Sequence, residues 1–366
     1  MNLLTAWFKR TFADPQVVIL GIVLIIGFAV VLGFGRMLAP VFASIVIAYL
    51  LEAVVAQLQR IGLPRLLAVV LVFLLFLAGG FFLLFGLVPM LTRQLSQLVQ
   101  QIPSYISQGQ ELLLQLPERY PTVVSEDQVQ QLIVSVGAEA GTLGQQLLTW
   151  SLGSVGNFVG LLVLFVLIPV LVFFLLKDKR LLIDWFKGYL PTDRNLVSSV
   201  SADVEAQIAN YVRGKAGEIV IVGAVSYITF IALGLDYAAL LATMVGFSVL
   251  IPYIGAAVVT VPIAFVAYFQ WGWGWDFGQV VIAYGIIQAL DGNVLVPLLF
   301  SEALNLHPVA IIVAILVFGG LWGFWGIFFA IPLATLVQAV LKAWPRQSDD
   351  KDRPPEAPEI ESGTSA

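Results

Sequence analysis

The chain has no cysteine and a single histidine, His307. Without thiols there is no disulfide framework and no thiolate nucleophile or ligand. One histidine also excludes a zinc protease motif, which needs two. No Gly-x4-Gly-Lys-Ser/Thr loop is present to cradle nucleotide phosphates, and no Gly-x-Ser-x-Gly elbow to raise a serine nucleophile. Cations are missing over a long stretch. Residues 216–341, the 126 between Lys215 and Lys342, include no Lys or Arg. Nothing therefore offers a basic patch for nucleic acid. No cofactor, metal or enzymatic activity is expected.

What the chain has in abundance is apolar surface: 60% of residues are hydrophobic and only 11% charged, against about 25% in a soluble domain. Such long apolar runs read as a helical bundle in a lipid bilayer. Segments fall at 17–34, 38–51, 66–90, 151–176, 219–235, 237–269, 277–300 and 309–341. The first two are joined tightly through Gly33-Phe-Gly-Arg36, and the first reads as an uncleaved anchor. The expected fold is an all-α polytopic membrane protein with about eight membrane segments, two of them Pro/Gly-broken or re-entrant.

The cations orient it. With a cytoplasmic N-terminus and alternating segments, 15 of the 18 Lys and Arg lie inside, leaving Arg36, Arg93 and Arg119 outside. Both termini are then cytoplasmic. The domain reading is residues 1–90 as membrane segments 1–3, 91–150 as a helical periplasmic insert and 151–176 as segment 4. Residues 177–216 follow as cytoplasmic interfacial amphipathic helices, 217–341 as the C-terminal membrane core and 342–366 as a disordered acidic tail.

Two segments, 237–269 and 309–341, are 33 residues long, about 50 Å as straight helix against a core of about 30 Å. The first contains Ile251-Pro-Tyr-Ile-Gly255 and the second Gly319-Gly-Leu-Trp-Gly-Phe-Trp-Gly326 followed by Pro332. Proline removes a helical donor and clashes with the turn before it, so the ladder is expected to open near Pro252 and Pro332. The freed backbone must then be buried in protein or face a wet cavity. Tyr253, Gly255, Gly320 and Gly323 lie at these breaks, and helix packing through Gly319-x-x-x-Gly323 is the competing explanation. Each segment either crosses once or folds back as a hairpin. The flanking loops around Asp276 and Glu302 hold no Lys or Arg, so charge does not choose.

Asp291 stands alone among apolar neighbours, and a carboxylate at membrane depth marks a pathway or binding site by default. With Gly292, Asn293 and Gln288, beside Pro297, it offers a carboxylate, amides and loosened carbonyls to a cation, a proton or hydroxyl groups. An Asp capping a broken helix is the plainer reading. Arg213, Lys215 and Glu218 open the fifth segment as interfacial anchors or an ion-pair gate. Glu302 and His307 belong to an interfacial loop, where His307 is a surface residue or a pH sensor. Trp271, Trp273 and Trp275 form an aromatic belt.

Several blocks in order carry a family resemblance: Leu50-Leu-Glu52, Leu176-Lys-Asp-Lys179, Tyr211-Val-Arg-Gly-Lys215, Gly246 to Gly255, Gln288-Ala-Leu-Asp-Gly-Asn293, Asn305-Leu-His-Pro308 and Phe318 to Gly326. Over residues 5 to 344 the chain resembles the autoinducer-2 exporter family. The resemblance implies a bacterial inner-membrane permease exporting small molecules by secondary transport; some relatives are assigned to a quorum-sensing signal, others to sodium/proton antiport. The wider family more often has Glu at Asp291 and Gln at Lys215, differences that bear on which solute is handled. The expected partners are the bilayer and a small-molecule substrate or monovalent cation. Self-association into a homo-oligomer is compatible with the chain. A membrane scaffold whose Gly-rich helices only pack is the reading from another class.

Overall fold

The computed structural model describes residues 15–114, 130, 131, 135, 158–188, 195–300 and 306–343. Among them every regular element is helical. Five stretches are long and apolar enough to cross a membrane: Met37–Arg60, Arg65–Glu111, Gln207–Ala232, Ile254–Trp271 and Trp275–Phe300. Their outer faces carry bare aliphatics such as Leu75, Val220, Ile228, Val261 and Leu298. In water these would be a liability; in hydrocarbon they are the solvent-facing surface. The all-helical polytopic membrane class is what the composition predicts.

The N-terminal part is built from α1 (Pro15–Arg60), α2 (Arg65–Phe82), α3 (Val88–Leu114) and α4 (Phe158–Lys177). The two segments expected at 17–34 and 38–51 are one continuous 46-residue helix. Gly33 to Arg36 stays helical, because two isolated glycines lower helix propensity without breaking it. Alternation therefore loses one crossing. α1, α2 and α4 close over Ala48, Val55, Ala68, Val69, Val72, Val172 and Leu176. At the end of this bundle Arg65 donates to the Leu176 carbonyl at 2.9 Å, and Arg65 and Lys179 both pair with Glu52 at 3.4 Å. The bonds join α1, α2 and α5 (Lys179–Gly188), the last following α4 directly.

Two π-helical turns interrupt the long helices, at Leu83–Leu87 and Asp291–Leu295. Each is followed after one residue by a proline, Pro89 or Pro297. A proline lacks its own N–H and its ring strikes the carbonyl four residues back. The widened turn moves that carbonyl aside, so the helix continues through α3 in one case and α10 (Val296–Phe300) in the other. Residues 91–114, the first part of the expected insert, thus continue the helix that begins at Arg65. The rest of the expected insert falls almost entirely outside the described residues, as does the tail from 344.

The C-terminal core begins with α6 (Asn195–Ala232), whose first turns fall within the stretch 177–216 expected as interfacial helices. The first overlong segment then splits into α7 (Ala238–Ser248) and α8 (Ile254–Trp271). It folds back. Gln270, near the end of α8, donates to the Gly234 carbonyl at 2.8 Å and accepts from the Asp236 amide at 2.9 Å, just before α7 starts. The two ends of the segment are therefore side by side, and the turn at 249–253 is an internal tip. From α3, Gln94 accepts the Leu240 amide at 2.8 Å, and Tyr105 packs edge-to-face on Phe265 and tilted against Phe269.

After α9 (Trp275–Leu290) and α10, the second overlong segment repeats the design. It comprises α11 (Pro308–Trp322), α12 (Phe324–Phe328) and α13 (Ala330–Ala343), with α11 packed against α13. Its break falls at Gly323, where φ is +60°, not at Pro332. Pro332 sits in the first turn of α13, where a missing N–H costs nothing. Both tips are sealed by a glycine: a Cβ at Gly255 would overlap the Ser248 carbonyl, and one at Gly326 the Phe318 carbonyl. The first hairpin has its base where α6 ends and α9 begins, whereas α10, which precedes the second hairpin, ends beside Gly214 toward the other end of α6.

A cavity at the tip of the first hairpin

α6, the tip of the first hairpin, the π turn at Asp291 and the second hairpin converge on a cavity of about 380 Å³. α6 contributes Tyr211, Lys215 and Glu218, spaced at four and three residues so that all three share one face. The tip contributes Ser248, Val249, Ile251, Pro252 and Tyr253, and the bulged helix contributes Gln288, Asp291, Gly292, Val296 and Phe300. Ile311 and Ile331 close the far wall from the second hairpin.

The polar chemistry is unevenly satisfied. Lys215 and Glu218 form a buried pair, 5% and 3% exposed at their side chains, with Nζ to Oε2 at 2.6 Å. The same ammonium donates to the Val249 carbonyl at 2.8 Å and lies 5.3 Å from the Phe300 ring centre. Three hydrogen-bonding groups on the wall, in contrast, are buried without a partner: Asp291 Oδ1, the Tyr211 hydroxyl and Gln288 Nε2. An orphaned buried polar atom costs about 1–3 kcal/mol, and more for a charged group. Asp291 interacts electrostatically with both Lys215 and Glu218. Of the cavity's two carboxylates, only Glu218 has a bonded counter-charge.

Tyr253, at the tip, has φ of +64°, a left-handed conformation that a bulky side chain rarely adopts. Such strain persists only where the surrounding structure fixes it, and it clusters at switches and ligand clamps. Here it lets the chain reverse while the Gly255 amide still reaches the Ile251 carbonyl at 2.8 Å.

Of the residues singled out from sequence, Asp291, Gln288, Gly292, Pro252, Tyr253, Lys215 and Glu218 line this one cavity. Asn293 does not. It is exposed and donates back to the Ala289 carbonyl at 2.8 Å, because a residue two places along a helix faces away. Gln288 therefore extends the Asp291 face rather than that of Asn293. Gly255 is buried beneath the tip. Gly320, Gly323 and Pro332 line a second, larger cavity of about 890 Å³ with Gly33, Met37 and Phe42 of α1. Pro252 and Pro332 thus border separate hollows, divided where Ile331 faces one and Pro332 the other. Arg213 is exposed, bonded to Asn210 and set over the Tyr49 ring, so it takes no part in the Lys215–Glu218 pair. His307 is exposed and caps α11, its Nδ1 accepting the Val309 amide at 3.3 Å. Glu302 lies outside the described residues. Tyr211 was not singled out, although its spacing of four residues from Lys215 places both on one face.

Two hairpins of broken helices and a bulged helix around a polar cavity within the bundle are the kind of architecture that membrane transport proteins use. The AI-2E family transporter profile matches residues 18–346, so the chain belongs to that family. It is 43% identical over 345 residues to the "Putative permease PerM" of Escherichia coli strain K12, covering 94% of this chain and 98% of that one. It is 29% identical over 311 residues to the "Putative transport protein YrrI" of Bacillus subtilis strain 168, covering 82% and 85%. A "Putative transport protein" of Haemophilus influenzae is 27% identical over 327 residues. A transporter family implies a non-enzyme.

Proposed function

We propose that the protein is a bacterial inner-membrane permease that exports small polar molecules by alternating access, with the cavity at Asp291 as the transport site. The observation that carries this reading is the unpartnered Asp291 Oδ1 in a cavity whose wall also holds an unpartnered tyrosine hydroxyl, at the tip of the first hairpin. Groups left unsatisfied at membrane depth belong where a passing solute satisfies them. The volume, about 380 Å³, is within the range for a small ligand, roughly 300–1,000 Å³. The family description makes autoinducer-2 the first solute to try. The test is export from everted and right-side-out vesicles, with Asp291→Asn alongside. Unchanged flux in that variant removes the site, and no flux of any solute in folded wild type favours the scaffold.

A second reading, sodium/proton antiport centred on Asp291, is supported by the same carboxylate's lack of a bonded counter-charge. Sodium-driven acidification or alkalinisation of the vesicle lumen separates it from solute export.

The excess of cations at Arg60, Arg65, Lys177 and Lys179 supports reading that end of the bundle as cytoplasmic, with the C-terminus on the same side. With α1 as one crossing that ends at Arg60 the N-terminus lies on the opposite side, and it joins them only if residues 15–36 make a crossing of their own. Reporter fusions at each end decide.

A further inference from the structure

Among the described residues Lys215 is the only Lys or Arg on the cavity wall, and its three hydrogen-bonding protons have two definite recipients on different elements. One is the Glu218 carboxylate, one turn along α6. The other is the Val249 carbonyl, the first residue of the hairpin tip. A primary ammonium held by a carboxylate oxygen and a main-chain carbonyl takes up oxygen ligands of the kind a free monovalent cation would use. Across the same cavity stands a second carboxylate, Asp291, with a bare oxygen and no bonded cation. Tyr211 is 2% exposed and its hydroxyl is also unpartnered. The walls thus offer two carboxylates but a single fixed positive charge.

We infer that Lys215 is a tethered cation. It fills the position at Glu218 that a diffusible monovalent cation would otherwise occupy, and through Val249 it fastens the tip of the first hairpin to α6. Asp291 is left as the carboxylate open to a diffusible cation. Lys215 therefore sets both how many cations the cavity takes and how firmly the hairpin is shut. The inference rests on reading this cavity as the transport site, but not on what is transported.

The absence of cysteine allows a direct test. Ser248 lines the cavity beside Val249 and is buried, so Ser248→Cys introduces a near-isosteric reporter into a background with no other thiol. The full chain in nanodiscs is labelled with a water-soluble thiol reagent in sodium chloride or in choline chloride. With Lys215 intact, labelling is slow, and no sodium effect depends on Glu218. In Lys215→Gln, labelling in choline rises roughly tenfold or more, the scale set by leaving a buried carboxylate uncompensated. Sodium slows it again by occupying Glu218. Adding Glu218→Gln abolishes the sodium effect while labelling stays fast. Should Lys215→Gln alone fail to fold, the double variant carries the test. Labelling as slow in the double variant as in the reporter alone overturns the latch. A Lys215→Gln chain indifferent to sodium overturns the tethered-cation role. Flux is read separately: a chain that moves no small polar molecule yet shows this pattern sinks solute export and keeps cation occupancy of this cavity.

Discussion

Gln270 donates to the Gly234 carbonyl at 2.8 Å while accepting the Asp236 amide, fastening the far end of α8 to the residues before α7. One side chain thereby closes the base of the first hairpin. Removing it in Gln270→Ala frees two backbone groups that water can reach, so the expected loss is modest, about 1 kcal/mol. Thermal unfolding of the detergent-solubilised chain reads the loss. Labelling of a cysteine placed at the tip should speed up in parallel; an unchanged melting temperature and an unchanged rate would mean the base is held by apolar packing alone.

The buried pair of α6 gives a sign test by double-mutant cycle. Lys215→Met leaves Glu218 uncompensated, and Glu218→Gln leaves Lys215 so; each should destabilise by about 3–5 kcal/mol. The double variant should recover most of that loss, because no unpaired charge is left in the core. Additive losses in the double variant would show that the pair is not coupled.

Asp291→Asn keeps the shape of the side chain and removes its charge. Flux or antiport should fall to background while thermal stability is unchanged or higher, since a neutral amide is easier to bury at membrane depth than an unpaired carboxylate. A variant that loses both stability and flux would instead identify Asp291 as a structural cap.

Hairpin tips should be intolerant of the smallest side chain. Gly255→Ala and Gly326→Ala drive a methyl into the Ser248 and Phe318 carbonyls. The cost should exceed about 3 kcal/mol, seen as low yield and early aggregation. Gly292→Ala is the control, because its Cβ meets nothing within 4 Å. A replacement there should cost no stability, and any effect should appear in transport.

Much of the architecture was legible before any coordinates. The helical membrane class, the two overlong segments and the isolation of Asp291 all follow from local composition. Less legible were the joins. Gly33 and Gly35 suggested a turn, yet propensity costs of about 1 kcal/mol each are absorbed by a long helix. Pro332 suggested a break, yet its place in the first turn of α13 makes it harmless. Asn293 looked like a partner of Asp291 because the two are neighbours in sequence, although they point to different sides. Tyr211 was readable in principle, since its spacing from Lys215 and Glu218 gives all three one face.

Taken alone, the chain determined its solvent, its helices and roughly where those helices fail. A bilayer demands that each backbone amide be satisfied locally, and that demand is written residue by residue. What the tertiary structure decided is where the chain goes after each failure, and which polar groups then meet. Gln270 reaching Gly234, and Lys215 reaching Val249, are contacts across more than thirty residues. Their formation depends on competing packings of many apolar side chains whose local patterns look alike. Crossing and returning cost the backbone the same; only the fit of hairpin against α6 separates them.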